Sequence, residues 1–301
     1  MRLDDFDPSK NTRDLGRSSG GFGGGSRGGP GLGLIMTVLP FLLRSKLGWM
    51  VLIIGGIGYF MFGGGNIASL IGGQSPVSGG QSAQSGSQKA CDTEEELFAC
   101  RVLASTEQSW ERLFSAGGQQ YKAPTLNFYT DQNSSACGAA QAAMGPFYCP
   151  ADQGIYLDTN FFDEMRTKLG ASGDFAYAYV IAHEVGHHIQ TITGISAKVR
   201  QAQSRVSKAE GNALQVRMEL QADCYSGVWA NLNQQYLETG DIEEGMTAAN
   251  AIGDDTLSRA AGRRPVPESF THGTSEQRKK WLRIGLQSGN PNSCDTFKGI
   301  L

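Results

Sequence analysis

Two histidines stand four residues apart in His183-Glu184-Val185-Gly186-His187, a spacing that makes one shared site only if the segment is helical. Four residues are slightly more than one turn, so both imidazoles leave the same helix face and can hold one Zn²⁺. The stretch before them, Asp174 to Ala182 (DFAYAYVIA), is apolar and free of Gly and Pro, as a buried helix requires. Beside the first histidine, the Glu184 carboxylate can reach a water on such a metal and take its proton.

Two histidines leave a metal short of one protein ligand, and the third distinguishes the kinds of site. An extended H-E-x-x-H-x-x-G-x-x-H pattern would need Gly at 190 and His at 193. The chain has Gln190 and Thr193 there. His188 points about 100° away from its neighbour on a helix and reads as a polar group at the helix edge. His272 remains available, but Met218-Glu219-Leu220-Gln221-Ala222-Asp223 comes first, inside a helical run from Ala209 to Gln235. Glu219 and Asp223 lie one turn apart there, on a face shared with the small residues Ser226 and Ala230. Small side chains would let this helix approach the metal helix closely. Glu219 is the expected third ligand. Asp223 is expected to accept a hydrogen bond from the free ring N–H of a ligand histidine. The plain alternative is two solvated acids on a surface helix.

HEVGH followed by ELQAD resembles the gluzincin pattern of membrane stress proteases and CAAX-prenyl-type proteases. The wider chain is more similar still to the bacterial family of putative neutral zinc metallopeptidases. That similarity runs from MRLDDFDPSKNTRD, through a Gly-rich tract and one membrane segment, to AHEVGHHIQ and ELQADCYSGVWA. It implies a zincin-like domain with one Zn²⁺ per chain, hydrolysing peptide bonds in peptides or in unfolded and misfolded protein. It extends to Thr271-His272-Gly273-Thr274-Ser275-Glu276-Gln277-Arg278, similar to a T-H-P…E-x-R segment of the membrane proteases. Carried over, His272 would hydrogen-bond the transition-state oxyanion, and Arg278 would pair with an acid such as Asp223. Gly273 stands where that pattern has proline.

In a site of His183, His187 and Glu219, Zn²⁺ keeps one position for water and brings its pKa towards ~7. Glu184 then acts as general base and passes the proton to the leaving amine. The substrate must also be held extended. Gly154-Ile155-Tyr156-Leu157-Asp158 is β-rich, and an edge strand there could pair with substrate backbone.

Residues 1–31 are Gly-rich and almost free of large apolar side chains, so they are expected to stay unfolded. An apolar stretch from Leu32 to Leu43 is broken by Arg44-Ser45-Lys46, after which Leu47 to Gly73 runs 27 residues without a charge. That length can cross a bilayer, which sets a membrane segment at 32–73 with a spanning helix at about 47–71. A Ser/Gly/Gln tether over 74–90 then leads to a domain over 91–301. Residues 1–46 hold seven Lys/Arg against four Asp, a net +3, and no further Lys or Arg occurs until Lys89. The positive-inside rule therefore puts the N-terminus in the cytoplasm, with a single pass through a bacterial inner membrane and an extracytoplasmic, periplasmic domain. All six cysteines follow the membrane segment, as an exported, disulfide-bonded domain requires. Cys137–Cys149 and Cys91–Cys100 are the favoured pairs, leaving Cys224 to join Cys294 or to remain a buried thiol.

Within the domain, helical patterning covers Thr93 to Phe114 and nearly everything after Asn160, while strands are expected only at 126–130, 147–149 and 155–158. The expectation is a mostly helical α+β domain with a small sheet beside the metal helix. The chain carries −3 in total, so −6 lies beyond residue 46, with basic residues scattered. That excludes a nucleic-acid platform. Three functions fit: a membrane-anchored zinc endopeptidase, a zinc hydrolase of other amides or esters, and a catalytically idle envelope protein that binds a partner.

Overall fold

The computed structural model describes residues 1–16, 90–141 and 145–298. The proposed membrane segment at 32–73, the tether up to Lys89 and the Gly-rich part of 1–31 beyond Gly16 lie outside the described residues. Among the described residues, no helix is long and apolar enough to cross a membrane.

The fold is helix-rich α+β. After a short strand β1 (Thr12–Asp14) come α1 (Glu94–Ala116), β2 (Thr125–Tyr129), a β3–β4 hairpin (Gln132–Ser135, Gly138–Gln141), β5 (Phe147–Cys149) and β6 (Gly154–Asp158). Helices follow: α2 (Phe161–Lys168), α3 (Asp174–Ile192), α4 (Ile195–Gln203), α5 (Lys208–Leu232), α6 (Asp241–Ala251), α7 (Asp254–Ala260) and α8 (Ser275–Ser288). Their ends are written locally. Ser207 and Glu210 form a reciprocal capping box on α5, and Thr274 with Gln277 does the same on α8. Gly194 takes φ +80°, which ends α3 and turns the chain into α4.

The main sheet has the order β1-β2-β6-β5, with β1, β2 and β6 parallel and β5 antiparallel to β6. β6 is thus an interior strand, buried along its whole length. The edge strand expected at 154–158 is a correction. β5 pairs with that side of it, so the free edge nearest the metal helix is Phe147–Cys149. The unforeseen β3–β4 hairpin has small polar residues and no apolar alternation to announce it. Cys137–Cys149 ties it to β5. The other disulfides are Cys91–Cys100 and Cys224–Cys294.

A second correction concerns the first sixteen residues. Met1 and Leu3 are buried at 3 % and 2 % exposure inside the main core. β1 runs beside β2 with Thr12 opposite Leu126 and Asp14 opposite Phe128. Ser9 N–H reaches the Cys100 carbonyl at 3.2 Å, Arg2 N–H reaches the Tyr236 carbonyl at 2.8 Å, and Asp4 pairs with Arg101 at 2.8 Å. The segment cannot make a core of its own, but it adds three apolar side chains and a strand to a core built by others. Averaging it with the glycines after it concealed this.

α3 lies at the centre of the domain, with α5, α6 and α1 packed on it. At its crossing with α5 the backbones nearly touch, since a Cβ on Gly186 would lie 3.0 Å from the Ala222 Cα. α8 approaches α5 as closely, because a Cβ on Gly285 would strike the Cys224 carbonyl oxygen. Three helices therefore meet around one turn of α5, the turn that carries Glu219 and Asp223.

Candidate metal centre

The Gly186–Ala222 crossing brings the two motifs together. His183 Nε2 is 3.2 Å from Glu219 Oε2, and His187 Nε2 is 3.4 Å from the same oxygen. The rings meet edge to face, with centroids 4.8 Å apart. Tetrahedral zinc with bonds near 2.1 Å separates its donors by about 3.4 Å. Two imidazole nitrogens and a carboxylate oxygen at this spacing fit that ion, and these three residues form one of two groups of potential metal donors among the described residues.

Each ring is fixed from behind through Nδ1, which leaves Nε2 for the centre. His183 Nδ1–H donates to Asp223 Oδ1 at 2.9 Å. His187 Nδ1–H donates to the Gln190 side-chain oxygen at 2.9 Å, and the Gln190 amide donates in turn to the Met218 carbonyl at 2.7 Å. Gln190 was not foreseen as a partner, although its position three residues beyond His187 on the same helix was the available signal. Gln215 similarly donates to the second oxygen of Glu219 at 2.8 Å.

Asp223 gathers more charge than Arg278 alone. The guanidinium makes a two-pronged contact at 2.8 and 2.9 Å, and Tyr179 donates its hydroxyl at 2.6 Å. Asp223, Arg278, Tyr179 and His183 are all buried. Burial would raise the Asp223 pKa, but Arg278 and then His183 outweigh it and hold the carboxyl at about 2. Glu219 is likewise kept well below the usual carboxylate range, its burial offset by the charge of His187 and hydrogen bonds to both histidines. His187 rises to about 9, since Glu219 overcomes the desolvation that would lower it. Glu184 moves upward because burial dominates, with the histidines opposing.

His183, Glu184, His187, Glu219, His272 and Arg278 all line one cleft of about 600 Å³. Its walls include Phe147 and Tyr148 of the free β5 edge together with Phe161 and Val180. His272 reaches it from a loop that one carboxylate organises. Asp254 Oδ2 accepts from the backbone N–H groups of Thr271 (2.8 Å), His272 (2.6 Å) and Gly273 (3.1 Å), while Oδ1 lies 3.2 Å from His272 Nδ1. Gly273 takes φ +90° there, a conformation closed to the proline of the resembling pattern. The Asp254 hydrogen bond raises the His272 pKa, against its partial desolvation. Asp254, the first residue of α7, carried no motif by which to find it.

His188 differs from expectation. It is fully buried instead of lying at the helix edge. Its Nε2–H donates to the Lys122 carbonyl at 2.6 Å, and the Tyr148 hydroxyl donates to Nδ1 at 3.1 Å. Burial pushes its pKa down to about 4, so the ring is neutral and pins β5 against α3.

The family described as "Putative neutral zinc metallopeptidase" matches residues 1–297 of the chain. The "Uncharacterized protein YpfJ" of Escherichia coli is 48% identical over 301 residues, covering 99% of each chain. The "Uncharacterized protein Rv2575" of Mycobacterium tuberculosis is 42% identical over 214 residues, covering 66% of this chain and 70% of its own. No solved structure matches.

Proposed function

The chain belongs to the putative neutral zinc metallopeptidase family, which implies zinc, and from that premise we propose that it is a membrane-anchored zinc endopeptidase. One observation carries the reading. Glu184, a buried carboxylate, opens into the same cleft as three converging donors that leave a tetrahedral ion one open position. A structural zinc site has no use for a base and is closed by a fourth protein ligand.

His183, His187 and Glu219 would hold one Zn²⁺ per chain, and the bound ion would supply Lewis acidity that acidifies water and polarises a carbonyl. Glu184 takes the proton of the attacking water and delivers it to the leaving amine. His272 lines the cleft with Nδ1 turned to Asp254, which leaves Nε2 to act. As an imidazolium it donates to the oxyanion that develops on the substrate. Asp223, Arg278 and Tyr179 hold the His183 ring through all of this. Substrate backbone lies along the free β5 edge, a mode that favours extended, unfolded chains over a particular sequence. The apolar walls favour an apolar side chain beside the cleaved bond. The apolar tract at 32–73 anchors the chain in a bacterial inner membrane, and three disulfides support an exported domain. Neither charge nor cleft suits nucleic acid.

The test measures zinc content and cleavage of an unfolded protein for the full chain in detergent. Glu184→Gln should keep about one zinc and lose cleavage, whereas His187→Ala and Glu219→Ala should lose both. Zinc retained in Glu219→Ala, or cleavage retained in Glu184→Gln, would overturn the assignment. A zinc-loaded, folded wild type that cuts no unfolded protein would leave the hydrolase of other amides or esters and the partner-binding function.

A further inference from the structure

We infer that residues 1–16 are an integral part of the zinc domain and stand on its side of the membrane. The inference rests on the reading of 32–73 as a membrane segment. It replaces a single crossing that leaves the two ends on opposite faces.

The argument is geometric. Leu126 N–H donates to the Asn11 carbonyl at 2.9 Å, and Leu15 N–H donates to the Phe128 carbonyl at 2.9 Å. The hydrocarbon core of a bilayer is about 30 Å thick. A strand ladder cannot bridge that distance, so residues 1–16 and the domain from Ala90 onward lie on one face of the bilayer. Nor is the contact a loose one. Met1 and Leu3 are buried in the core that also contains Tyr179 of α3, and Phe6 packs edge to face on Tyr236 at 5.1 Å. The family match itself spans residues 1–297, so it covers the N-terminal segment together with the site.

Charge counting points the other way. The positive-inside rule weighs Lys and Arg in short segments flanking a membrane span. Arg2, Lys10 and Arg13 belong instead to a folded segment that also holds all four Asp, so Arg17, Arg27, Arg44 and Lys46 carry the bias that the strand pairing must outweigh. The cysteines decide which side both ends occupy. Thr12 Oγ1 lies 3.5 Å from Cys91 Sγ, in the Cys91–Cys100 bridge, so the N-terminal segment borders a disulfide. Disulfides persist in oxidising compartments, and the segment shares that compartment.

All six native cysteines are paired, so one introduced cysteine is the sole free thiol of the chain. Lys10 and Asp7 are exposed on the N-terminal segment and Lys280 on α8. The full-length chain carrying Lys10→Cys, Asp7→Cys or Lys280→Cys is exposed in intact cells to a membrane-impermeant maleimide. Labelling is repeated after membrane disruption, and membranes are washed with alkaline carbonate. Equal labelling of all three in intact cells, with the chain retained in washed membranes, is the expected result. Labelling of Lys280→Cys in intact cells, with Lys10→Cys and Asp7→Cys reacting only after disruption, would overturn the inference. If none reacts until disruption, both ends share the inner face; the inference stands and the exported location falls. A chain removed by the wash would refute the membrane reading and this inference with it, leaving the zinc assignment untouched.

Discussion

Two side chains give His183 and His187 the same service by different chemistry. Asp223 supplies a charge to His183, while Gln190 supplies a neutral carbonyl oxygen to His187. Removing such an orienting partner typically costs 10–100-fold in metal affinity. Gln190→Leu should therefore weaken zinc binding by about that factor, measured by chelator competition, with the fold retained. Asp223→Asn should cost more, because Arg278 is then left buried without its countercharge, a loss of about 3–5 kcal/mol in chemical denaturation. Asp254→Asn makes a different prediction, one about pH. His272 binds its proton more tightly in the folded chain than at its ordinary value of about 6.5. The stabilisation from that pair is thus fully present below about pH 6.5 and is lost as pH rises through the raised folded value. Cleavage that uses the His272 imidazolium should fade over the same interval. In Asp254→Asn the alkaline limb of the rate profile should move to lower pH; an unmoved limb would show that His272 does not serve as donor.

At the scale of elements, the centre depends on how closely α3 and α5 cross. The sequence suggested small residues beside Asp223, at Ser226 and Ala230, as the means of approach. The crossing itself uses Ala222 against Gly186, within the H-E-x-x-H segment. Gly186→Ala places a methyl 3.0 Å from the Ala222 backbone, where neither helix can yield by rotating a side chain. Overpacking of this kind costs about 1–3 kcal/mol. The expected outcome is that loss in denaturant together with weakened zinc binding, since Glu219 must retreat from both histidines. Unchanged zinc affinity would mean that the close approach serves packing alone. Tyr148 and His188 play the corresponding part for β5, holding the free edge against the metal helix through one buried hydrogen bond.

For the molecule as a whole, the domain boundary is not where composition placed it. A fragment over 91–301 lacks β1 and leaves the positions of Met1 and Leu3 open at the base of the core. Leu3→Ala in the full chain should lower stability by about 2–5 kcal/mol, the range for a buried leucine, although it lies far from the cleft. A change within ±0.5 kcal/mol, as for an ordinary surface site, would show that the N-terminal segment does not pack in solution. Cys224–Cys294 adds a second long-range tie, closing 70 residues between the turn below Asp223 and the chain after α8.

What could be read from the chain alone was the part whose physics is local. Helical spacing placed His183, Glu184 and His187 on one face, and a second helical register paired Glu219 with Asp223. Cysteine count and position led to the two short bridges, while Cys224–Cys294 stayed open against a buried thiol until the structure paired them. The tertiary structure alone decided which partners meet across the chain. Tyr179 reaches Asp223 over 44 residues, Asp254 reaches His272 over 18, and β1 finds β2 across more than a hundred, whereas the Arg278–Asp223 pair was already implied by the family resemblance. The open edge of the sheet also depends on pairing, since β6 has the composition of any buried strand until β5 folds back on it. Local sequence sets the spacing of groups along an element, whereas burial and strand neighbours depend on elements far apart in the chain.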